Sequence, residues 1–316
     1  MQLVRDVPSG GHRHLAFHSK KACSEPGGSC PNSVRHQPHH GLKKPRQIVT
    51  LTMQSVAAYG VAVMSPRFSL SQHCGRIQAG RAAAASAAAT LRDAIAQRGS
   101  ARIILAAAPS QTEVYRELAV APDIDWSRVT AFHMDEYVGL APNAPERFSS
   151  WLQEQFISAV PGVDFRPMST HGSIETALAT YADEINARPI DLVCLGIGVN
   201  GHIAFNDPPD ADLEDSRVIR QVELTQASRM QQVDDECFSE LAAVPTHAVT
   251  LTIPALLRGR QLVCTVPGER KAEAVRALIG QPIGSAWPCT VLRTHPRCEV
   301  HVNARAGQLL PQAEKC

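Results

Sequence analysis

From about residue 60 onward, continuous apolar runs alternate with helix-like segments, and this alternation limits the possible folds more than any other feature. RIILAAA (102–108) and PIDLVCLGIG (189–198) are apolar along nearly their whole length, as strands are when both faces of a parallel sheet are covered. Alternating strands and helices favour right-handed βαβ units and a largely parallel sheet. The sequence therefore predicts one α/β domain over residues 59–305.

The same reading predicts the individual elements. A long alanine-rich helix spans 74–98 and ends at Gly99, and a further helix begins at Ser110, capped by Ser110 or Thr112. Other predicted helices cover 146–158 and 174–188 and a segment beginning at Gly268. The predicted strands are 59–64, 102–108, 129–134, 189–198, 218–224, 247–253, 261–266 and 298–303.

The first 58 residues differ in character from the rest. They are basic and rich in histidine, glycine and proline, without helical or strand periodicity, so we predict a disordered extension. One alternative is a metal- or nucleic-acid-binding arm in which Cys23 and Cys30 add ligands, although the spacing fits no zinc pattern well. Another is upstream sequence, with Met53 or Met64 as the true start. Residues 306–316 are predicted to form a flexible tail.

Composition excludes several classes of protein. With 44% hydrophobic and 19% charged residues the chain has neither a disordered nor a membrane composition, and its net charge of +1 gives no general attraction to nucleic acid. The apolar stretch 47–65 is interrupted by polar residues and has no cleavage site after it, so we expect no export signal and a cytoplasmic location. The nine cysteines are then expected to be reduced, with Cys194, Cys264 and Cys298 in the core.

Ligands of such sheets bind beyond the carboxyl ends of the strands, and three segments there carry polar residues. AAPSQT (107–112) could bind an anion at a helix N-terminus, or could supply only helix caps. In FHMDEYVGL (132–140), Asp135 and Glu136 must point to opposite sides, and one of them could be a general base.

The third segment is LGIGVNGHIAFNDPP (195–209). Its G-x-G-x-x-G pattern suggests a dinucleotide site, but Pro208 and Pro209 follow where that site needs a helix. The segment is better explained as a glycine-lined turn that presents His202 and, five residues later, Asp207. A histidine in such a turn is more often a site residue than a core residue.

MDEYVGL and GIGVNGHIAFNDPP resemble the two signature segments of the glucosamine-6-phosphate deaminase/isomerase family, which is related to 6-phosphogluconolactonases. The similarity runs over about residues 60–303 and includes VPGERKAEAV (266–275) and AWPCTVLRTHP (286–296). It implies a three-layer, Rossmann-like α/β domain with a mostly parallel sheet. It also implies that glucosamine 6-phosphate is converted to fructose 6-phosphate and ammonia.

The resemblance further implies roles for individual residues. Asp135 would move a proton between C2 and C1 of the open-chain sugar, and His202 would open the pyranose ring, oriented by Asn200 and Asp207. The substrate phosphate would be bound by three other residues, Ser110, Lys271 and Arg229. No metal and no organic cofactor is implied. The expected partner is a small sugar phosphate, with no nucleic acid and no membrane, and family members often form homo-oligomers.

Three departures from the family pattern leave the substrate open. Asn200 stands where the typical deaminase has Asp, and it could accept a hydrogen bond from the imidazole without stabilising a positive charge there. Asp207 replaces Glu, and Pro109 removes one N–H donor from the phosphate loop. Asn200 resembles galactosamine-6-phosphate isomerase relatives, so that activity, lactone hydrolysis and a non-catalytic sugar-phosphate sensor stay as alternatives.

Overall fold

The computed structural model describes residues 67–311. The predicted strand at 59–64, the extension and its possible metal ligands all lie outside these residues. Ten strands are present among the described residues: β1 (Arg67–His73), β2 (Ala101–Leu105), β3 (Val129–His133), β4 (Asp135–Tyr137), β5 (Asp164–Arg166), β6 (Leu192–Leu195), β7 (Ile219–Glu223), β8 (His247–Leu251), β9 (Gln261–Val266) and β10 (Arg297–Asn303). The α-helices are α1 (Arg76–Arg98), α2 (Thr112–Ala119), α3 (Phe148–Gln155), α4 (Ile174–Asn186), α5 (Gln226–Asp234), α6 (Ile253–Leu257) and α7 (Ala272–Gly280).

Seven strands form a parallel sheet in the order β1-β10-β9-β6-β2-β3-β5. The central strands β9, β6 and β2 are aligned so that Cys194 of β6 pairs with Leu105 on one side and Val263 on the other. All residues of β2, β6 and β9 are buried, which explains why these strands are apolar runs rather than alternating patterns. The mostly parallel α/β sheet predicted from the sequence is therefore confirmed.

Helices cover both faces of this sheet. One face packs Ile103 and Leu105 against the alanines of α1 and against α2 and α3, whereas Ile104 faces the opposite core beneath α4, α6 and α7. Alternate residues of one strand thus belong to two cores, as the pleat requires. Alanine suits α1, because it has high helix propensity and lets a helix lie close to the sheet.

A second, antiparallel sheet has the order β4-β8-β7. Its strand β4 immediately follows β3 and pairs with β8, with Asp135 opposite Thr250. The sequence predicted a loop here, because a three-residue strand carries no periodicity of its own and depends on a partner far away in the chain. The small sheet fixes the position of Asp135, one of the two acids singled out in the sequence.

Other differences from the predicted elements have local causes. The edge strand β1 was not predicted, because its sequence RFSLSQH has no continuous apolar run. It forms because all seven of its residues pair in parallel with β10. The N-terminal residue of α2 is preceded by Gln111, and no side chain caps it, so the predicted capping by Ser110 or Thr112 is wrong. The ordered domain also extends past residue 305, since Ala306 is fully buried in the core and Leu310 packs against it.

The predicted core cysteines Cys194, Cys264 and Cys298 are free and fully buried. Cys74 is disulfide-bonded, so the expectation that every cysteine is a reduced thiol is wrong for this residue. Within residues 67–311, no helix is long and apolar enough to cross a membrane.

Candidate active site

A cavity of about 270 Å³ lies at the carboxyl ends of the central strands β2, β6 and β9. Its walls include the segments that follow these three strands, residues 106–110, 196–198 and 267–271. Four of the residues predicted from the sequence line it together: Asp135, His202, Ser110 and Lys271. The location agrees with the rule that ligands of open α/β sheets bind beyond the strand ends.

Asp135 is buried in the wall of this cavity, and its carboxylate has no hydrogen-bond partner among the described residues. Burial, with a smaller contribution from the neighbouring charge of Glu136, raises the pKa of Asp135 well above its usual value. A carboxylate with a raised pKa is a stronger base, so Asp135 is suited to taking a proton from carbon.

Glu136 points away from the cavity, as the alternation along a strand predicts. Its fully buried carboxylate accepts hydrogen bonds from the backbone N–H groups of Phe148 and Ser149, at the start of α3, and lies 3.3 Å from the guanidinium of Arg147. Glu136 therefore caps a helix, and of the two acids Asp135 is the one that lines the cavity.

His202 is held by a compact group of polar side chains. Its Nδ1 lies 3.2 Å from a carboxylate oxygen of Asp207 and 3.2 Å from the hydroxyl of Ser228, which donates to the same Asp207 oxygen at 2.6 Å. The Asn200 amide also donates to that oxygen, at 2.9 Å. These contacts fix the orientation of the imidazole ring, whose edge reaches the cavity.

Asn200 acts differently from the sequence expectation. Its carbonyl oxygen accepts from the backbone N–H of His202 rather than from the imidazole, and its NH₂ group contacts Asp207. Neither Asn200 nor Asp207 lines the cavity, whereas both belong to the polar group that holds His202. Burial raises the pKa of Asp207, but the hydrogen bonds from His202, Ser228 and Asn200 and the charge of His202 outweigh it and lower the pKa to about 2.

Two glycines, Gly198 and Gly201, leave the space that the His202 ring and its neighbour Trp287 occupy. A Cβ atom on Gly198 would lie 2.2–2.3 Å from three ring atoms of His202. Gly201 has a φ of +84°, in the left-handed region that favours glycine, and a Cβ there would meet the Trp287 ring at 2.7 Å. The glycines seen in the sequence therefore make room for an imidazole and an indole, and no helix follows them.

Ser110 lies in the loop that follows β2, within the short 3₁₀ turn Pro109–Gln111. Gln111, fully buried, donates from its amide to the Ser110 hydroxyl and to the carbonyl of Leu195 at 3.2 Å each, and to the carbonyl of Thr265 at 3.4 Å. This one side chain joins the loop to the ends of β6 and β9. It therefore holds Ser110 near the segment that contains Lys271.

Lys271 ends the short 3₁₀ turn Glu269–Lys271 and directly precedes α7. Burial lowers the pKa of Lys271 to about 8, partly offset by the charge of Asp235 and reinforced by that of Arg270. The side chain is thus a desolvated cation in the cavity wall, which is where a phosphate would gain most from it.

Arg229 does not line the cavity. Its guanidinium donates to the backbone carbonyls of Leu241 and Val244, at 2.7 and 2.9 Å, so the geometry does not favour the predicted phosphate role. Two other arginines line the cavity. Arg270 is paired with Asp234 and Asp235, whereas Arg76 donates to the carbonyl of Pro109 and has only a distant ion pair, 3.8 Å, with Glu113.

The sequence reading missed three residues of this site. Arg76 begins α1, and Ser228 and Gln231 lie on α5. Gln231 accepts from the backbone N–H of Val199 at 3.0 Å and so holds the glycine turn. None of the three has a local signal, because each reaches the site from an element distant in the chain. Within residues 67–311, no group of three or more acidic, histidine or cysteine side chains could hold a metal ion.

Comparison with protein families gives a match over most of the described residues. The profile of the family described as glucosamine-6-phosphate isomerases/6-phosphogluconolactonase matches residues 76–301. A glucosamine-6-phosphate deaminase of an Exiguobacterium species is 35% identical over 185 residues, which are 58% of this chain and 71% of the relative. One from Beutenbergia cavernae is 32% identical over 242 residues, which are 73% of this chain and 91% of the relative.

Solved structures are similar in fold. A monomeric glucosamine-6-phosphate deaminase superposes with a TM-score of 0.69 at 23% identity, covering 76% of this chain and 99% of that chain. A 6-phosphogluconolactonase from Shewanella baltica gives a TM-score of 0.61 at 19% identity, covering 74% and 96%. At these identities the likeness concerns the fold alone, and it confirms the Rossmann-like α/β class.

Proposed function

Because this chain is an enzyme of the glucosamine-6-phosphate isomerase/6-phosphogluconolactonase family, we propose that it deaminates an amino-sugar 6-phosphate. The favoured reaction converts glucosamine 6-phosphate and water to fructose 6-phosphate and ammonia. One observation carries the proposal: the buried Asp135 carboxylate and the oriented His202 imidazole line the same cavity as the cation of Lys271. The substrate is taken from the names of the curated relatives.

The phosphate end of the substrate would lie against Lys271 and the Ser110 hydroxyl. Pro109 lacks an N–H group, so the loop offers one donor fewer than an ordinary helix N-terminus. Arg76, which contacts Pro109 and lines the cavity, would supply the missing donors and a second positive charge. We therefore assign to Arg76 the role that the family resemblance gave to Arg229.

Ring opening would fall to His202. The imidazole would accept the proton of the C1 hydroxyl and return one to the ring oxygen as the C1–O5 bond breaks. Asp207, an anion over the ordinary pH range because its pKa is about 2, stabilises a positively charged ring at Nδ1. Asn200 and Ser228 would hold Asp207 in place and so act as positioning residues.

Asp135 would then act on the open-chain sugar. Its carboxylate would take the proton from C2 while one proton of the C2 ammonium group passes to the C1 oxygen, which leaves an enol, and the carboxylic acid would then return its proton to C1. The nitrogen on C2 is thereby converted to an iminium group, and attack of water on C2 releases ammonia and leaves the ketose phosphate. The raised pKa of Asp135 supports both the removal and the return of the proton.

Asn200 favours one alternative substrate, galactosamine 6-phosphate. An amide at this position alters the charge around His202 without touching Asp135 or Lys271, so epimer preference can differ while the reaction type stays the same. Ammonia release from both amino sugars, with ketose formation followed in a coupled assay, separates the two. Faster turnover of the galacto epimer would assign the enzyme to that substrate.

The decisive variant is Asp135→Asn. We expect kcat for ammonia release to fall at least 100-fold, since general-base catalysis contributes about 10²–10⁴-fold. Binding of inorganic phosphate, measured by calorimetry, should be unchanged because Lys271 and Ser110 are untouched. Asp164→Asn, which alters an exposed acid paired with Arg166, serves as the matched control.

Unchanged turnover of Asp135→Asn would contradict the proposed mechanism. If the wild-type protein releases no ammonia from either amino sugar, the same samples are tested with 6-phosphogluconolactone. Hydrolysis above the spontaneous rate would then assign the lactonase reaction. Phosphate binding without turnover of any of the three substrates would indicate a sensor.

A further inference from the structure

A second cavity, of about 230 Å³, has walls dominated by arginine. Among the described residues that line it, Asp191 is the one acid, and Ser100 contributes a hydroxyl. The four arginines are Arg98, Arg102, Arg188 and Arg260. We call this cavity the arginine pocket.

The arginine pocket lies at the opposite end of the sheet from the candidate active site. Ser100 immediately precedes β2, Asp191 immediately precedes β6 and Arg260 immediately precedes β9. The candidate active site is built from the residues that follow these same three strands. At a rise of about 3.3 Å per residue, strands of this length separate the two ends by roughly 15–20 Å. A ligand in the arginine pocket therefore cannot be part of the substrate site.

The charges in the arginine pocket do not balance. Asp191 lies 2.7 Å from the Arg98 guanidinium and 3.6 Å from that of Arg260, so its single negative charge is shared by two cations. Its other oxygen accepts from the backbone N–H of Arg102 at 2.9 Å. The four arginines and the single acid that line the pocket therefore leave it with a net charge of +3.

The remaining two arginines contact only neutral acceptors there. Arg102 is 4% exposed, and its guanidinium donates to the backbone carbonyls of Ile185, Arg188 and Glu184. Arg188 donates to the Ser100 hydroxyl at 3.3 Å. Burial, reinforced by the charge of Arg188 and opposed by the charges of Asp191 and Glu184, lowers the pKa of Arg102. Because guanidinium groups stay protonated in proteins, an anion is the available means of neutralising them.

We propose that the arginine pocket binds a phosphate group, as inorganic phosphate or as the phosphate of a small ester. The planar forks of Arg188 and Arg260 suit the oxygens of a dianionic phosphate, and the Ser100 hydroxyl adds a donor. The volume accommodates a phosphate group with a few attached atoms. The buried Arg102 supplies a fixed positive charge behind the bound anion.

The test is calorimetric titration of the full-length protein with inorganic phosphate. The double variant Arg188→Ala/Arg260→Ala removes two side chains at the rim and leaves the buried Arg102 in place. We expect it to lose one phosphate site, with affinity at that site at least tenfold weaker. Lys271→Ala should instead weaken the site at the other end of the sheet and leave this one intact.

Several controls make the result specific. Arg276→Ala removes an arginine that is 49% exposed and paired with Glu273, close to the 51% of Arg260, and should leave phosphate binding unchanged. Arg188→Lys/Arg260→Lys keeps the charge without the forks and should retain part of the affinity. Repeating the titration with glucose 6-phosphate shows whether an ester or the free ion binds more tightly.

The proposal is overturned if the double alanine variant, with an unchanged melting temperature, binds phosphate at the same number of sites and with the same affinity as the wild-type protein. Ammonia release is measured on the same samples. Loss of phosphate binding with turnover retained supports the arginine pocket, whereas absence of turnover in all samples would count only against the proposed reaction.

Discussion

Gly198 decides where the His202 ring can lie, because any side chain there would occupy the space of the imidazole. In Gly198→Ala the ring must move, and displacement of a catalytic group by about 1 Å can cost 10²-fold in rate. We expect kcat for ammonia release to fall by about 10- to 100-fold, with phosphate binding retained.

Gly280→Ala is the control for this substitution, since a Cβ at Gly280, the last residue of α7, would meet nothing within 4 Å. It should leave kcat unchanged and, by its higher helix propensity, slightly stabilise the protein. An unaltered kcat in Gly198→Ala would show that the position of the His202 ring does not limit the reaction.

From the proposed contact of Lys271 with the substrate phosphate, we expect the activity to depend on pH in the alkaline range. Its ammonium group is charged below its pKa of about 8 and loses the proton above it, so the charge available to bind phosphate declines as pH rises. We expect KM for the amino-sugar phosphate to rise above pH 8. The steady-state KM, measured from pH 6.5 to 9.5, tests this.

In Arg76→Ala, KM should rise more steeply with pH, because Lys271 would then supply most of the positive charge that binds the substrate phosphate. Arg229→Ala should show the wild-type pH dependence, since this guanidinium contacts backbone carbonyls outside the cavity. A steeper rise of KM in Arg229→Ala, with the wild-type pH dependence in Arg76→Ala, would indicate instead that Arg229 binds the phosphate.

Site residues could be predicted where they directly follow an apolar strand. Asp135 follows β3 closely and Ser110 lies in the loop after β2, so local order indicated both, whereas Lys271, after β9, was implied only by the family resemblance. Arg76 and Ser228 could not be found in this way, because they reach the site through the packing of α1 and α5. The contacts of Asn200 depended on the turn geometry, which places its amide on Asp207 rather than on the imidazole.

At the scale of elements, α3 depends on one buried acid. Glu136 accepts hydrogen bonds from the N–H groups at its start and from the Ser149 hydroxyl, and it neutralises Arg147, which is 4% exposed. Glu136→Gln would leave that cation buried without its acidic partner, a change that typically costs about 3–5 kcal/mol. We expect a loss of this size in the free energy of urea unfolding.

Asp125→Asn provides the comparison, because Asp125 caps a short 3₁₀ turn at the surface and pairs with the exposed Arg128. Its effect should be much smaller, because an exposed ion pair contributes little to stability. Equal stability of Glu136→Gln and the wild-type protein would mean that α3 does not need this acid.

The helices and strands that could be predicted from the sequence are the long ones and the fully buried ones. Long buried or alanine-rich segments such as β9 and α1 carry a strong local signal, and their predicted bounds agree with the structure to within a few residues. The three-residue strands β4 and β5 carry none. Their existence follows from partners elsewhere in the chain, β8 for β4 and β3 for β5, which no local pattern specifies.

For the molecule as a whole, we predict that residues 59–316 suffice for catalysis. The parallel sheet begins at β1 (Arg67–His73), and the family match begins at residue 76, so every proposed site residue lies beyond the extension. A protein beginning at residue 59 should keep the kcat and KM of the full chain. Loss of turnover in this shortened protein, with its circular dichroism spectrum unchanged, would assign the first 58 residues a part in the reaction. The expected homo-oligomer stays a prediction, which light scattering of the full chain tests.

The cavity floor consists of the ends of strands that are buried along their whole length, whereas each proposed chemical step depends on a different segment above it. Phosphate binding depends on the loops after β2 and β9, ring opening on the glycine turn after β6, and proton transfer on β4. Substitutions in one segment can therefore be inherited and selected almost independently of the others. Such a scaffold allows a lineage to exchange substrates step by step, while the sheet that supports every step stays the same.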